Sequence, residues 1–247
     1  MHKKRVIGVI LLKDQLVVQS VNFSKFLPIG NLSTAIEYFN KWCIDELIVL
    51  DIDAPAAGFN VSLYREAFLK SQTPLALGGG ISCLDQMRQA FVVGADKVVV
   101  NSSFFESSKF ITEATKVYGS QSVIVSVDVK YSDGHYNVVN RKFPEIKLEL
   151  EQSLKRAERC GAGEIFINSV DNDGMKQGYD LPLIDIAKSC VSIPIIICGG
   201  VGQACDLSNG LMRGADAVAA SNFFHYTELS VVHAKRTLFE SGFDIRF

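Results

Sequence analysis

The sequence has almost no net charge, no paired cysteine motif and no long apolar run, and each absence excludes a class of protein. It holds 25 lysines and arginines against 27 aspartates and glutamates, which gives a formal net charge of −2. A nucleic-acid partner normally requires a basic face, so we expect none. No run of about 18 apolar residues is present, so we expect neither a membrane span nor a membrane partner.

Histidine and cysteine are scattered rather than clustered. The four histidines form no metal-ligand pattern, and we expect neither a metal nor a cofactor. The amino-terminal segment MHKKRVIGVILL is basic and then apolar, like a secretion signal, but Lys13 and Asp14 follow without a cleavage site, so it predicts the first strand. The six cysteines show no CxxC spacing and are interpreted as free buried thiols in a reducing cytoplasm. They are Cys43, Cys83, Cys160, Cys190, Cys198 and Cys205.

What the sequence does have is a series of short apolar runs rich in β-branched residues. Each run is continuous rather than alternating, which is typical of a parallel sheet covered on both faces. Amphipathic segments, among them 32–42, 83–93, 148–160 and 180–189, lie between them. Eight strand–helix units in 247 residues predict a (β/α)8 barrel formed as a single domain over 1–247. The predicted strands are 6–12, 46–52, 74–77, 97–100, 122–127, 164–167, 194–197 and 217–219.

An internal repeat divides the chain into two similar halves. The segments LGGGI and VVGADKVVVNSSFF in the first half correspond to CGGVG and LMRGADAVAASNFF in the second. The repeat pairs Glu46 with Glu164, and equivalent positions lie about 118–120 residues apart. We therefore predict a barrel of two (β/α)4 halves. Carried back to the first strand, an offset near 117 places Leu11 opposite Asp128.

Two glycine clusters follow predicted strands at the barrel mouth, where active sites of such barrels lie. Glycine lets the backbone approach an anion closely, and free N–H groups at the next helix N-terminus can donate to it. Two clusters on opposite sides of one mouth predict an elongated substrate with a phosphate at each end. They comprise 78–80 with 101–102, and Gly199, Gly200 and Gly202 with 220–221.

Acidic residues also stand at predicted strand ends, namely Asp51, Asp53, Asp128, Asp171 and Asp173. Asp128 follows an unbroken apolar run, so we expect its carboxylate at the mouth in a poorly hydrated setting. Burial there can raise the pKa of a carboxyl group enough for general acid/base catalysis. The alternative is a structural carboxylate that binds a neighbouring loop.

Charges begin four strands at the opposite end of the barrel, where apolar residues would be expected. Arg5, Glu46, Lys97 and Glu164 supply two cations and two anions at one rim. We predict an alternating ring of ion pairs that closes the barrel floor, and a purely structural plug is the plainer interpretation.

Taken together, these segments resemble the cyclase subunit of imidazole glycerol phosphate synthase, a lyase of histidine biosynthesis, in colinear order over essentially the whole chain. The resemblance implies a heterodimer in which a glutaminase subunit binds the barrel floor and ammonia travels along the barrel axis. At the mouth, ammonia would react with a bis-phosphorylated aminoimidazole ribonucleotide precursor to give imidazole glycerol phosphate and an aminoimidazole carboxamide ribotide. The segments are KRVIGVILLKD, DELIVLDID, LALGGGI, GADKVVVNSSFF, GSQSVIVSVDVK, GAGEIFINSVDNDGMKQGYD, IPIIICGGVG and ADAVAASNFFHY.

Residue by residue, the resemblance implies three sets of site positions. The catalytic aspartate of the fifth barrel strand is Asp128. The ammonia gate and the glutaminase interface are Arg5, Glu46, Asp96, Lys97, Gln121 and Glu164. The substrate-binding and phosphate-binding positions are Gly80, Asn101, Ser102, Asp173, Gly174, Gly200, Ala220 and Ser221.

The first strand departs from the family pattern. Leu11 occupies the position of a second catalytic aspartate, and Gln19 replaces a lysine of the following loop that clamps the substrate. Gln15 replaces a glycine and Met175 a threonine. One positioned acid or base is worth about 10²–10⁴-fold in rate, so we expect the cyclisation to be impaired in this chain.

Three functions remain open at this point. The chain could be a divergent but active cyclase subunit. It could be a paralogue that pairs with a glutaminase and supplies ammonia to another acceptor, as in relatives beside surface-polysaccharide genes, where sugars are amidated. It could also be a non-catalytic scaffold that activates its glutaminase.

Overall fold

A computed structural model describes residues 3–54, 58–144, 148–226 and 228–247 of the protein. The strands in these residues are β1 (Arg5–Lys13), β2 (Leu16–Val21), β3 (Lys25–Gly30), β4 (Glu46–Asp51), β5 (Leu75–Gly78), β6 (Lys97–Val100), β7 (Val123–Ser132), β8 (His135–Val139), β9 (Leu148–Glu149), β10 (Glu164–Ser169), β11 (Ile195–Cys198) and β12 (Ala217–Ala220).

Eight of these strands are parallel and close into a barrel. Their order around the barrel is β1, β4, β5, β6, β7, β10, β11 and β12, and β12 pairs with β1 again. They coincide with the eight predicted strands, and all ends agree within two residues except that β7 runs on to Ser132. The predicted (β/α)8 architecture is confirmed.

Helices lie between the barrel strands, and the four segments predicted from periodicity are all helical. No helix among the described residues is both long and apolar enough to cross a membrane. The helices are α1 (Leu32–Lys41), α2 (Val61–Phe68), α3 (Leu84–Val92), α4 (Ser102–Glu106), α5 (Ser108–Tyr118), α6 (Leu150–Arg159), α7 (Leu181–Cys190), α8 (Ala204–Met212), α9 (Asn222–Tyr226) and α10 (Ser230–Glu240).

Helix α1 illustrates how the sequence sets a helix against the barrel. Asn31 caps it, because its side-chain oxygen accepts a 2.8 Å hydrogen bond from the Thr34 N–H. Ile36 and Phe39, three residues apart, lie on its buried face. A Cβ atom on Gly8 of β1 would lie 2.8 Å from Phe39 Cε1, so glycine at this point lets the helix pack directly on the strand.

Two strands of the barrel continue beyond the mouth as antiparallel hairpins. The end of β1 pairs with β2, with Leu11 opposite Val18, and β2 pairs with β3. The end of β7 pairs with β8, with Asp128 opposite Val139. The sequence analysis predicted neither hairpin, although they occupy equivalent places in the two halves.

The apolar core has two layers. The larger layer packs between the strands and the helices. The smaller one fills the barrel interior and has Leu11 and Leu50 packed against it near the mouth. Its buried members are Ile7, Val9, Ile48, Ala76, Val99, Ile124, Phe166, Ile196, Cys198, Ala217 and Ala219.

The cysteines are free, as predicted, but the prediction that all are buried was wrong. Only Cys198, inside the barrel, is buried, whereas Cys43, Cys83 and Cys205 are exposed at helix ends or turns. The apolar segments around them misled the prediction, because amphipathic helices place some of their residues on the solvent side.

Candidate active site

The four charged residues at the barrel floor form a closed ring of ion pairs. Lys97 Nζ lies 2.7 Å from Glu46 Oε1 and 2.5 Å from Glu164 Oε1. Arg5 completes the ring through Nη1, 2.5 Å from Glu46 Oε2, and through Nη2, which donates to Glu164 Oε2. Each cation contacts both anions, so the geometry matches the predicted alternation.

The ring is poorly hydrated. The side chains of Glu46 and Glu164 are only 4% and 10% exposed, and those of Arg5 and Lys97 are 27% and 19% exposed. Burial alone would raise the pKa of Glu164, but the hydrogen bonds and charges of Arg5 and Lys97 outweigh it and lower that pKa. Glu164 is therefore held as a carboxylate between Arg5 and Lys97, and the ring closes the lower end of the barrel.

The two residues expected at a glutaminase interface, Asp96 and Gln121, are exposed beside this ring. Asp96 Oδ2 also accepts a 2.8 Å hydrogen bond from the Leu75 N–H at the start of β5. Asp216 does the same for the start of β11, with a distance of 3.0 Å from the Ile195 N–H. Asp96 therefore holds the start of β5 in the first half, and Asp216 holds the start of β11 in the same way in the second half.

Above the ring, the barrel interior is apolar up to the mouth. Alternate residues of each strand face the same side, so Ile7, Val9 and Leu11 follow Arg5 along one wall. On the opposite wall Ile124 lies below Asp128, with Ser126 between them. The interior thus leads from buried charges at one end to a polar group at the other.

Asp128 lies at the mouth within a network of amide side chains. Asn101 Nδ2 donates to Asp128 Oδ2 at 2.8 Å, and Asn140 Nδ2 donates to Asn101 Oδ1 at 2.9 Å. Burial raises the pKa of Asp128 to about 7; the Asn101 hydrogen bond opposes this, and the nearby charge of Asp173 adds to it. A carboxyl group with this pKa can both accept and return a proton near neutral pH.

Leu11 faces the same mouth from the opposite half of the barrel. It is partly buried, packs with the interior cluster and pairs in register with Leu50 of β4. The predicted equivalence of Leu11 and Asp128 is supported by the structure. Asp14 lies three residues after Leu11, and its backbone N–H donates to the Asp53 carboxylate at 2.7 Å. Tyr131 lies three residues after Asp128, and its backbone N–H donates at the same distance to Asp171, the repeat equivalent of Asp53. One side of the mouth is therefore lined by Leu11 and Leu50, and the other by Asp128 with its hydrogen-bonded asparagines.

The other acids at strand ends accept hydrogen bonds from neighbouring segments. Asp53 and Asp171 hold the ends of β1 and β7, and Asp51 accepts hydrogen bonds from the Tyr64 hydroxyl and, at 3.0 Å, from the Asp53 N–H. These three carboxylates fix neighbouring loops.

The first glycine cluster lies beside the Asp128 network. Gly80 has a φ of +67°, and Asn101 and Ser102 open the short helix α4. Asn101 is occupied by its contacts with Asp128 and Asn140, and Ser102 Oγ donates to Asn140 Oδ1 at 3.2 Å. These predicted phosphate-site residues are thus brought together and connected directly to the carboxyl group.

The second glycine cluster forms an open cleft. Its lining includes Gly174, Gly199, Gly200, Ala220 and Ser221. A Cβ atom on Gly199, whose φ is +97°, would lie 2.5 Å from the Ser169 carbonyl oxygen, so only glycine fits at this turn. Ser221 Oγ is buried and has no hydrogen-bond partner among the described residues. A buried hydroxyl of this kind is able to bind a ligand or an ordered water.

Two N–H groups ahead of the helix that follows this cleft are already paired. Helix α8 has a capping box, in which Asp206 Oδ2 accepts hydrogen bonds from the Gly202 N–H at 2.9 Å and the Gln203 N–H at 3.0 Å. These two N–H groups are therefore not free to donate to an anion.

Asp173, predicted to bind substrate, lines this cleft and also holds the hairpin of β2 and β3. Its Oδ2 accepts a 2.6 Å hydrogen bond from Ser20 Oγ and a 3.2 Å bond from the Phe23 N–H. Asn222 holds the same hairpin, with Nδ2 donating to the Ser20 carbonyl oxygen at 2.7 Å. Burial raises the pKa of Asp173, and the Ser20 hydrogen bond opposes that shift. We call the set of Ser20, Asp173 and Asn222 the hairpin latch.

Several site residues were missed from the sequence. Asn140 directly follows β8, a hairpin strand that was not predicted, and Ser20 lies on β2, which was not predicted either. Asn168 at the end of β10 is buried and its Oδ1 has no partner among the described residues. The second hairpin could have been identified from Asp133 and Gly134, a typical two-residue hairpin turn, and the internal repeat then indicates the first. Among the described residues, no group of three histidine, cysteine or acidic side chains could hold a metal ion.

Comparisons with known proteins agree with this architecture. The family described as histidine biosynthesis protein matches residues 5–230. A Vibrio vulnificus (strain YJ016) protein, provisionally named imidazole glycerol phosphate synthase subunit hisF2, is 39% identical over all of this chain and 92% of its own length. A Campylobacter jejuni protein with the same provisional name is 38% identical over 100% of this chain and 99% of its own.

A third relative carries the subunit name without qualification. The imidazole glycerol phosphate synthase subunit HisF of Chlorobium luteolum is 35% identical over the full length of both chains. With a family match across most of the chain and full-length relatives above 30% identity, the chain belongs to the HisF-type imidazole glycerol phosphate synthase subunit family of histidine biosynthesis proteins.

Proposed function

We propose that the chain is the ammonia-accepting synthase subunit of a glutamine amidotransferase complex and that its acceptor is not the precursor cyclised in histidine biosynthesis. The observation that carries the proposal is the pairing of an intact charge ring with an altered mouth. The floor keeps all four ring residues in contact, whereas the mouth has Leu11 and Leu50 facing Asp128. The intact ring at the floor supports delivery of ammonia, and the leucines at the mouth favour a reaction other than the cyclisation of histidine biosynthesis.

The barrel interior suits neutral ammonia. A charged ammonium ion would lose its hydration among Ile7, Ile48 and Phe166 at a cost of several kcal/mol, whereas uncharged ammonia loses little. The ring of Arg5 and Lys97 with two glutamates is held by hydrogen bonds that a docked partner could rearrange. In this proposal a glutaminase subunit binds at the floor beside Asp96 and Gln121, and the ring opens to admit its product.

At the mouth, Asp128 is the one acid/base group that we assign to the reaction. With its pKa near 7, it can take a proton from the attacking nitrogen and return it to the acceptor oxygen. The glycine clusters around Gly80 and Gly200 hold a bis-phosphorylated acceptor by its ends. A surface-polysaccharide sugar bearing phosphate is one acceptor of this kind, and the proposal includes it as a candidate.

The alternative, retained cyclisation, is favoured by one specific observation. A carboxyl group that titrates at about 7 can serve in both directions, so Asp128 alone could perform both proton transfers of the cyclisation. Loss of the second carboxylate should then lower the rate by about 10²–10⁴-fold without abolishing it.

The deciding experiment assays ammonia-dependent turnover of the cyclase precursor by the wild type, Leu11→Asp and Asp128→Asn. We expect the wild type to form little or no imidazole glycerol phosphate. Leu11→Asp should fail to restore turnover if the mouth is rebuilt for another acceptor. Turnover at the rate of an ordinary HisF subunit by the wild type would overturn the proposal, and restoration by Leu11→Asp would show that one carboxylate is all that was lost.

The partner is tested separately. Purified glutaminase subunit from the same cell should bind the chain, and glutamine-dependent amidation should fall in Lys97→Ala while ammonia-dependent amidation persists. If no glutaminase binds, the ammonia-conducting role is wrong. If the wild type binds no bis-phosphorylated ligand yet still activates the glutaminase, the scaffold interpretation is correct instead.

A further inference from the structure

We infer that Lys176 is a phosphate-binding residue of the cleft formed by Gly199, Gly200 and Ser221, and that Tyr226 holds its ammonium group when the cleft is empty. The inference rests on the proposed function in one respect, namely that the acceptor is phosphorylated. The inference adds a cationic side chain to a cleft in which the other proposed phosphate-binding groups are backbone N–H groups and the Ser221 hydroxyl.

The cleft contains an acid, because Asp173 is part of its lining. Two N–H groups next to the glycine loop, those of Gly202 and Gln203 at the start of α8, are already taken by Asp206. A phosphate in this cleft would therefore meet a carboxyl group, and a nearby cation would raise its affinity.

Lys176 is the one cationic residue among the described residues that line this cleft. Within the described part of the chain, its ammonium group pairs with no carboxylate and lies 3.9 Å from the centroid of the Tyr226 ring. Both side chains are exposed, and a cation–π contact at an exposed site is weak. A phosphate group would compete for the lysine effectively, because hydrogen bonds between two charged groups are stronger.

The backbone of Lys176 is fixed while its side chain is free to turn. The residue has a φ of +58° in a tight turn, in which the Met175 N–H donates to the Asn172 carbonyl oxygen at 3.0 Å. Gly202 packs against it so closely that a Cβ atom there would lie 2.7 Å from the Lys176 carbonyl oxygen. The turn is therefore tied to the glycine loop of the cleft, and rotation of the lysine stem alone brings the ammonium group to the site.

A second observation points to a ligand at the same place. Ser221 Oγ lines the cleft, is buried and lacks any partner among the described residues. A phosphate oxygen between Ser221 and Lys176 would satisfy both groups, whereas neither can satisfy the other while Lys176 rests on Tyr226.

The test is a titration of the purified chain with inorganic phosphate at low ionic strength, followed by ³¹P nuclear magnetic resonance. We expect Lys176→Met to weaken phosphate binding roughly tenfold and Lys176→Arg to retain most of the affinity. Lys109→Met, which removes the same charge from an exposed position on α5, should leave the affinity unchanged. Tyr226→Leu should bind at least as tightly as the wild type, because only the resting contact is lost.

The outcomes separate the two proposals. If the wild type binds phosphate and Lys176→Met binds it equally well, the role of Lys176 is wrong and the phosphorylated acceptor stands. If Tyr226→Leu loses as much affinity as Lys176→Met, the aromatic ring and not the ammonium group makes the site, and the inference fails. If the wild type binds no phosphate at all, both the inference and the phosphorylated acceptor are overturned.

Discussion

Removing Lys97 tests whether the floor ring is a buried electrostatic unit. In Lys97→Ala, Glu46 and Glu164 lose the ammonium group that lies 2.7 and 2.5 Å from their oxygens, and both must share Arg5. Breaking a buried pair costs about 3–5 kcal/mol, and because Arg5 still contacts both anions we expect about 3 kcal/mol. The free energy of unfolding at pH 7, measured by urea denaturation with circular dichroism, checks this value.

The Lys70–Glu37 pair offers a matched control. Its N–O distance is also 2.7 Å, but the side chains are 43% and 48% exposed. Lys70→Ala should therefore destabilise the protein far less than Lys97→Ala. If Lys97→Ala costs no more than Lys70→Ala, burial does not strengthen the ring and the reasoning fails.

The pH dependence of the same pair of proteins gives an independent check. In the wild type, the lowered pKa of Glu164 contributes stability above its ordinary value of 4.5, and that contribution is lost as the pH falls through the lowered pKa. Without Lys97, two of the four contributions that lower the pKa of Glu164 are lost and only those of Arg5 remain, so the variant gains less stability as the pH rises above 4.5. The difference between the two proteins should be largest at neutral pH and should close in acid.

Three further changes test the mouth. Because the pKa of Asp128 is raised from 3.8 to about 7 on folding, its ionisation opposes folding increasingly as the pH rises from 3.8 to about 7, and the penalty is constant above that. Asp128→Asn should therefore be more stable than the wild type by roughly 2–4 kcal/mol at pH 8, and equal near pH 4, in urea denaturation. Leu11→Asp should lose about 2–4 kcal/mol at pH 8 and less at pH 5, where the new carboxyl group is protonated; a loss independent of pH would show that it is hydrated. Ser20→Ala removes the 2.6 Å hydrogen bond to Asp173 and should speed amide exchange in β2 and β3 without altering that in β7; unchanged exchange would contradict the hairpin latch.

Much of the barrel could be predicted because its strands are continuous apolar runs at regular spacing. The first hairpin is harder to predict, because β3 exposes most of its side chains and the turn residues Asp14 and Gln15 adopt positive φ without being glycine. The barrel interior could be inferred only in part, since Leu11 and Leu12 look alike in sequence but face opposite sides of β1.

Site residues that stand at equivalent positions of the repeat could be predicted from the sequence. The hydrogen-bond partners of the acids could not, because those partners come from distant segments. The ring residues and Asp128 lie where the sequence placed them. Asp51, Asp128 and Asp173 are all acids at strand ends, yet the first binds a tyrosine, the second an asparagine and the third a serine from a distant hairpin. Those partners are 13, 27 and 153 residues away, and no local pattern contains them.

The floor ring also joins the two halves of the repeat. Arg5, Glu46 and Lys97 belong to the first half and Glu164 to the second, so the single acid from the second half is gripped by two cations from the first. In the proposed function, a partner that separates these groups to admit ammonia must loosen a contact between the half-barrels at the same time. The strength of that contact would then determine how readily the ring opens.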